Sequence, residues 1–509
     1  LPQQPCAGAQ EERRDLQYWP AGELRQVIHR AAFPFLLALC IARMWVTPLT
    51  SSFWVDEAET AFVVHHGVHH PSFAIIAPAL ESVYYWLPKA SESIFGFSEA
   101  AERLPSLVAL AIALFFIGRI AARLIHPQAA WFAVFACLTL RGFNYEAADA
   151  RAYALGTCVA AASLWLLIRW LDSGRWVDGI LFLGAAALLW RVHLVYWPFY
   201  LVYAVYFLAR SDRKASWIQV IAICSALVLT LLPVAISALA MNRDAARHVF
   251  TVLPSWFELG SSLRFRLVAE CALGGWILAR WRHWRRDGLA PSFSAIALIA
   301  AWWLVQPLGL FAYSHISGIS VFSTRYVSIA LPAVGLAATA AAAYFVPKSL
   351  WQPFALVMGL AALVTAGEWQ QLRPPHHNSD WRGAALAANA LALGPATPVL
   401  VVSPFVEAKP PDWSPDYPLP GYLYCQLDVY PVNGKPYLLP YGDSPAGTRY
   451  AEMLAKTMLP AAGRFLIYAS AADVARWREW FAARPEFAGW RSRQLGPFLD
   501  VDVVLFQAR

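Results

Sequence analysis

The chain has 509 residues, 59% hydrophobic and 14% charged, with a formal net charge of +7. Soluble domains carry about 25% charged residues, so this balance excludes an ordinary soluble protein and points to a membrane. The basic residues are scattered over short loops with no aromatic-interleaved patch, which argues against nucleic acid as a partner and for membrane lipids.

The first twenty residues, "LPQQPCAGAQEERRDLQYWP", are polar and charged and do not resemble a secretory signal. The first apolar run is therefore expected to remain as an anchor. A span needs about 20 apolar residues. Eleven stretches qualify, at about 33–50, 104–122, 128–142, 153–170, 177–190, 193–209, 216–240, 264–280, 292–312, 322–345 and 350–367. The third and fifth are short. The run from 177 to 209 is broken only by "RVH" at 191–193, which reads as a tight turn between two spans, with a re-entrant piece as the alternative. The seven cysteines lie mostly within apolar runs (Cys40, Cys137, Cys158, Cys224) and form no CxxC, so they read as small buried residues.

Basic residues fall on alternate connections. Placing the N-terminus in the cytoplasm gives the inside segments Arg13, Arg14, Arg25 and Arg30, then Arg119 and Arg123, then Arg169 and Arg175. Arg210, Arg213 and Lys214, "RWRHWRR" at 280–286, and Lys348 complete the set. The acids fall on the other side. This bias predicts eleven spans, with the N-terminus inside and the C-terminus outside. After about residue 370 the character changes. "DWRGAALAANALA" and "AADVARWREWFAARP" read as helices; "TPVLVVSPF", "RFLIYAS" and "FLDVDVVLFQA" read as strands; 404–450 reads as loops. The expected organisation is a polytopic α-helical membrane domain over 1–369 and a small extracytoplasmic α/β domain over 370–509.

The chemistry-bearing residues crowd the outer connections. "SSFWVDEAETAFVV" at 51–64 places Asp56, Glu57 and Glu59 just past the first span. On a helix, Asp56, Glu59 and Thr60 share a face and Glu57 sits about 100° away. Acids at a helix start also complement its dipole without further purpose. "RGFNYEAADARAYALG" carries Asp149, Arg151 and Tyr153, where an Arg–Asp surface pair is the plain alternative. His193 stands in a short turn. Arg325 and Tyr326 stand at the mouth of a late span, where an arginine snorkels by default. Together these loops bring acids and fixed cations to one mouth of the bundle, a pattern suited to a reaction between an anionic lipid and a neutral acceptor. "HHGVHHPS" at 65–72 has histidines four apart, but Gly67 and Pro71 oppose a helical metal site. A polar interfacial loop is the simpler reading.

Four motifs in order carry a resemblance. "FWVDEAETAFVV", "APALESVYYWLPKASESIFGFSEAAERLPSLVAL", "AADARAYAL" and "STRYVSIALPA" resemble the GT-C superfamily of membrane glycosyltransferases. The branch of protein O-mannosyltransferases and lipid A aminoarabinose transferases is nearest in kind. The likeness covers about 30–345. It implies an inverting transfer of a monosaccharide from a polyprenyl-phosphate donor to a lipid, glycan or protein acceptor at the outer face of the plasma membrane. It maps the base onto Asp56, with Glu57 beside it. It places Arg325 on the donor phosphate, with Arg151 and His193 as weaker choices by position. Asp149, Tyr153 and Tyr326 are the remaining substrate-binding candidates. No cofactor is firmly implied; a divalent metal stays open, since some members of the superfamily bind one. A lipid-linked sugar transporter or flippase is the alternative, although the charges crowd one face and no internal repeat is evident.

Overall fold

The computed structural model describes residues 21–73, 81–243, 252–284, 291–391 and 393–509. The readings placed on Arg13, Arg14, Arg285, Arg286 and residues 77–80 lie outside the described residues. Among the described residues, a helix lies on each of the eleven apolar stretches. Six are long and apolar enough to cross a membrane: Glu99–Leu124, Tyr153–Ser173, Trp217–Arg243, Phe293–Ser317, Ser328–Phe345 and Lys348–Ala366. Ala31–Val46, Pro127–Leu138 and Leu194–Ala209 are apolar but shorter. The other two, Trp176–Val192 and Phe265–Trp281, have 17 residues each and carry charges within them. The "RVH" break is a true helix end. His193 turns extended, and its Nδ1 accepts the Val195 N–H at 3.3 Å to start the next turn.

The connections after the first, third, fifth, seventh, ninth and eleventh of these helices gather at one end of the bundle, around the cavities described below. At the other end Arg123 and Arg210 both bond Asp172, at 2.7 and 2.9 Å, which joins the second, fourth and sixth connections. His126 packs edge-on against Trp351, bringing the tenth to the same end. Alternation of ends is what successive crossings of one layer produce.

The C-terminal part is a five-stranded mixed sheet, in the order β2-β1-β3-β5-β4. The strands are β1 Pro398–Val402, β2 Lys435–Leu439, β3 Arg464–Ser470, β4 Arg491–Gln494 and β5 Val501–Gln507. β1 pairs parallel with β2 and β3; β5 pairs antiparallel with β3 and β4. Side chains alternate across the pleat. Val399, Val401, Leu466, Tyr468 and Val503 face the helix Trp381–Asn389 and the bundle side, where Phe53, Ala58 and Phe62 join them. Leu400, Val402, Phe465, Ile467 and Val504 face the helices Pro445–Thr457 and Ala471–Ala482. The stretch 404–450, expected as loops, also holds β2 and the start of the Pro445–Thr457 helix. β2 begins with exposed Lys435 and Pro436, which hid it from an apolar-run reading.

Candidate active site

The helix Val55–His66 carries the first acids. Its first-turn back-bond is made by Glu57, which accepts the Trp54 N–H at 3.3 Å. Gly67, at φ +79°, ends it, so the paired histidines do not continue on one helical face. Instead, His66 Nε2 bonds Asp428 at 3.0 Å, and His65 lies 3.4 Å from Glu92. They fasten this helix to the C-terminal domain.

Asp56 and Glu57 have different fates. Glu57 is fully buried. Arg103 donates to it from Nε at 2.7 Å and Nη2 at 2.5 Å, and the Ala150 N–H donates at 2.8 Å. Arg103, equally buried, also bonds the carbonyls of Pro48, Leu49, Ser51 and Ser52. A buried ion pair is tolerable only when both partners are fully bonded, and this one is. Glu57, expected beside the base, is held in this network, which fixes the loop and the helix start. Asp56, one position back, stays partly exposed and accepts from Arg325 Nη1. The Arg325 guanidinium lies 4.8 Å over the Trp54 ring, and His377 stacks on the same indole at 4.6 Å.

The second loop is rearranged relative to expectation. Arg151 does not pair with Asp149. It bonds Glu59 at 3.2 Å and the Asp56 carbonyl at 2.8 Å. Burial pushes the Glu59 carboxyl up against the opposing pull of Arg151. Asp149 is fully buried and accepts the Trp54 Nε1–H at 3.1 Å. Asp149, expected among the substrate-binding residues, stands behind Trp54 and holds its indole. Tyr153 is likewise buried behind the surface, with its ring 6.1 Å from Tyr326 and 5.6 Å from His193. Burial, with Arg151 and Arg325 nearby, drives the His193 imidazole down to about 3, so the ring is neutral.

Two cavities meet here, and Ser323 and Arg325 line both. The first, of about 740 Å³, is cationic: Arg43, Arg141, Arg264 and Arg325 line it with His376 and His377. Of its acids, Glu368 pairs with Arg141, and burial together with Asp149 raises Glu146 well above the carboxylate range. Through Arg141, Gly142, Arg264 and Leu331 this chamber continues into an apolar groove of about 730 Å³ between helices of the bundle. The second cavity, of about 640 Å³, is lined by Glu59, Arg151, Arg191, His193, Tyr326 and Glu407, with Tyr85, Trp190 and Tyr422.

Sequence reading missed Trp54, Arg141, Arg264 and Glu407. Arg141 stood in the quoted second loop. Arg264 stood at the edge of a span and carries the one signal available, a charge beside an apolar run. It is exposed, has a left-handed backbone (φ 50°), and its side chain has no partner among the described residues. A non-glycine residue held there is strained, and such strain gathers at functional positions.

One group of donors has metal-like spacing among the described residues: Glu57, Asp149 and His376, all buried and within 4.8 Å of one another. It fits a cation poorly. Both Glu57 oxygens are already taken by N–H donors, and the Arg103 guanidinium is against them.

Comparison with known proteins agrees with this architecture. The family model of dolichyl-phosphate-mannose-protein mannosyltransferases matches residues 79–257. No curated protein matches the chain. The crystal structure of ArnT from Cupriavidus metallidurans in the apo state is similar at a TM-score of 0.57 and 14% identity, over 95% of this chain and 98% of that one. The same protein bound to undecaprenyl phosphate is similar at 0.53 and 12%, over 93% and 97%. The likeness to ArnT is one of fold, and the mannosyltransferase family model matches part of the chain.

Proposed function

We propose that the protein is an inverting glycosyltransferase. It moves a monosaccharide from a polyprenyl-phosphate donor to an acceptor hydroxyl at the outer face of the plasma membrane. One observation carries this reading: Arg325, the partner of Asp56, lines both a cationic chamber with an apolar tail groove and a polar, aromatic one. A lipid phosphate has the chemistry of the first chamber and groove. The ArnT structure that holds undecaprenyl phosphate supports the choice of ligand class.

The geometry suggests a single displacement. An acceptor hydroxyl is a weak nucleophile and needs a base within hydrogen-bond reach. Asp56 takes its proton, the oxygen attacks the anomeric carbon, and the bond from that carbon to the phosphate oxygen breaks. The polyprenyl phosphate leaves with the electron pair. Arg325, released from Asp56, and Arg264 stabilise the charge that grows there. Glu57 is locked to Arg103, so Asp56 works without a second free carboxylate beside it, and attack from one face inverts the anomeric centre. No step is routed through a metal.

In this reading residues 1–369 form the membrane domain, with eleven crossings and a cytoplasmic N-terminus, and 370–509 the outer domain. The test is equilibrium binding of undecaprenyl phosphate to the purified chain. A charge-assisted bond contributes about 1.5–3 kcal/mol, so Arg264→Ala is expected to weaken binding about 10–100-fold. Absent binding, or an unchanged Arg264→Ala, rejects the chamber assignment.

A further inference from the structure

The second cavity has a wall that the membrane domain does not supply. Glu407 and Tyr422 come from the C-terminal part of the chain. Both are held by backbone bonds. Ser403 Oγ donates to the Leu423 carbonyl at 2.6 Å, and the Tyr441 N–H donates to the Ala408 carbonyl at 2.9 Å. The Tyr422 N–H donates to Ser72 Oγ at 3.2 Å, and its ring packs on Phe73 at 5.4 Å. The loop is thus rigid and registered on the first outer loop, which carries Asp56.

The Glu407 side chain, in contrast, is uncommitted. Apart from its own N–H, its carboxyl has no partner among the described residues. Burial raises it to about 7, with Glu59 and Asp56 adding to the shift. A half-buried carboxyl without a partner is unfavourable unless something else bonds it.

Charge separates the two chambers. The first has an excess of guanidinium groups, with Arg264 unpaired. In the second, Arg151 is held by Glu59 and Arg325 by Asp56. Arg191 bonds the carbonyls of Ala187 and Thr230. Glu81 and Glu407 have no cation partner among the described residues. Arginines and glutamates are matched in number there, so the second chamber has no surplus of cations for a polyanion. Carboxyls, a neutral His193 and aromatic faces suit hydroxyl groups and the apolar faces of sugar rings.

We propose that the second cavity is the acceptor site, that the acceptor is an uncharged glycan, and that the C-terminal domain selects it through Glu407 and Tyr422. This rests on the glycosyltransferase reading above and names the substrate class of the same site. Glu407 accepts a hydrogen bond from an acceptor hydroxyl, and the Tyr422 ring covers the face of the sugar.

The test uses the full chain, purified and fluorescently labelled, on an array of neutral, amino-bearing and acidic oligosaccharides. Retention on neutral glycans is expected, reduced about tenfold or more by Glu407→Ala and at least threefold by the isosteric Glu407→Gln. Undecaprenyl phosphate binding, measured in parallel, is expected to change less than twofold in Glu407→Gln. No retention, retention confined to charged glycans, or retention unchanged in both variants overturns the proposal. A wild-type chain that holds neutral glycans through Glu407 but not undecaprenyl phosphate refutes the donor reading and leaves this one standing. The reverse pattern refutes this one alone.

Discussion

Arg325 lines both chambers and forms an ion pair with Asp56, 269 residues away in sequence. The pair holds the Asp56 carboxylate occupied. In the proposed reading an anionic donor competes with Asp56 for the same guanidinium, so arrival of the lipid phosphate would free the carboxylate to act as base.

Asp56→Asn is expected to leave the fold intact and to lower turnover about 10²–10⁴-fold, the usual size of a general-base effect. Product formation, with detergent stability as the control, measures it. Near-normal turnover would remove Asp56 from the chemistry.

Glu57→Gln and Arg103→Ala are expected to act on stability. Removing one partner of a buried, fully bonded pair costs about 3–5 kcal/mol. Both variants should show a lower thermal midpoint and poor expression. A Glu57→Gln protein of normal stability but no turnover would return Glu57 to the catalytic group.

Arg325→Lys separates phosphate binding from snorkelling to headgroups, because an ammonium group cannot copy the guanidinium fork. Donor use at low concentration is expected to fall. Arg119, which lies 5.1 Å over the Trp165 ring in the second long helix, should tolerate lysine without effect, since lysine also stacks on indole. If Arg325→Lys matches wild type at low and saturating donor, the phosphate assignment moves to Arg264 and Arg151.

His193 gives an acid-side signature. Burial, then Arg151 and Arg325, lowers its imidazole to about 3 in the folded protein, against about 6.5 when unfolded. Between those values the unfolded chain binds the extra proton, so stability is full above about pH 6.5 and falls as the pH drops toward 3. His193→Asn should flatten the fall of the thermal midpoint between pH 7 and about 4.5. Parallel curves would mean that the ring is protonated in the fold.

Orientation is open to thiol labelling in intact cells. A cysteine replacing exposed Arg493 should react with a membrane-impermeant maleimide. One replacing exposed Arg282 should react only after permeabilisation. Labelling of both from one side would reject an odd number of crossings between Arg282 and the sheet domain.

Sequence alone determined the local features. Apolar length and basic alternation placed the eleven helices, and short continuous apolar runs placed β1, β3 and β5. Asp56 and Arg325 stood out in the sequence because charge beside an apolar run is conspicuous, and Tyr326 because it follows Arg325 in the quoted motif. Only the tertiary structure decided which charge meets which. Glu57 and Asp56 are adjacent and chemically alike, yet Arg103 reaches one and Arg325 the other. Asp149 and Arg151 are two apart and point to different partners. Arg264 and Glu407 gain meaning only from the chambers they line. A side chain's partner is set by how helices from distant parts of the chain pack, and spacing along the sequence carries no record of that.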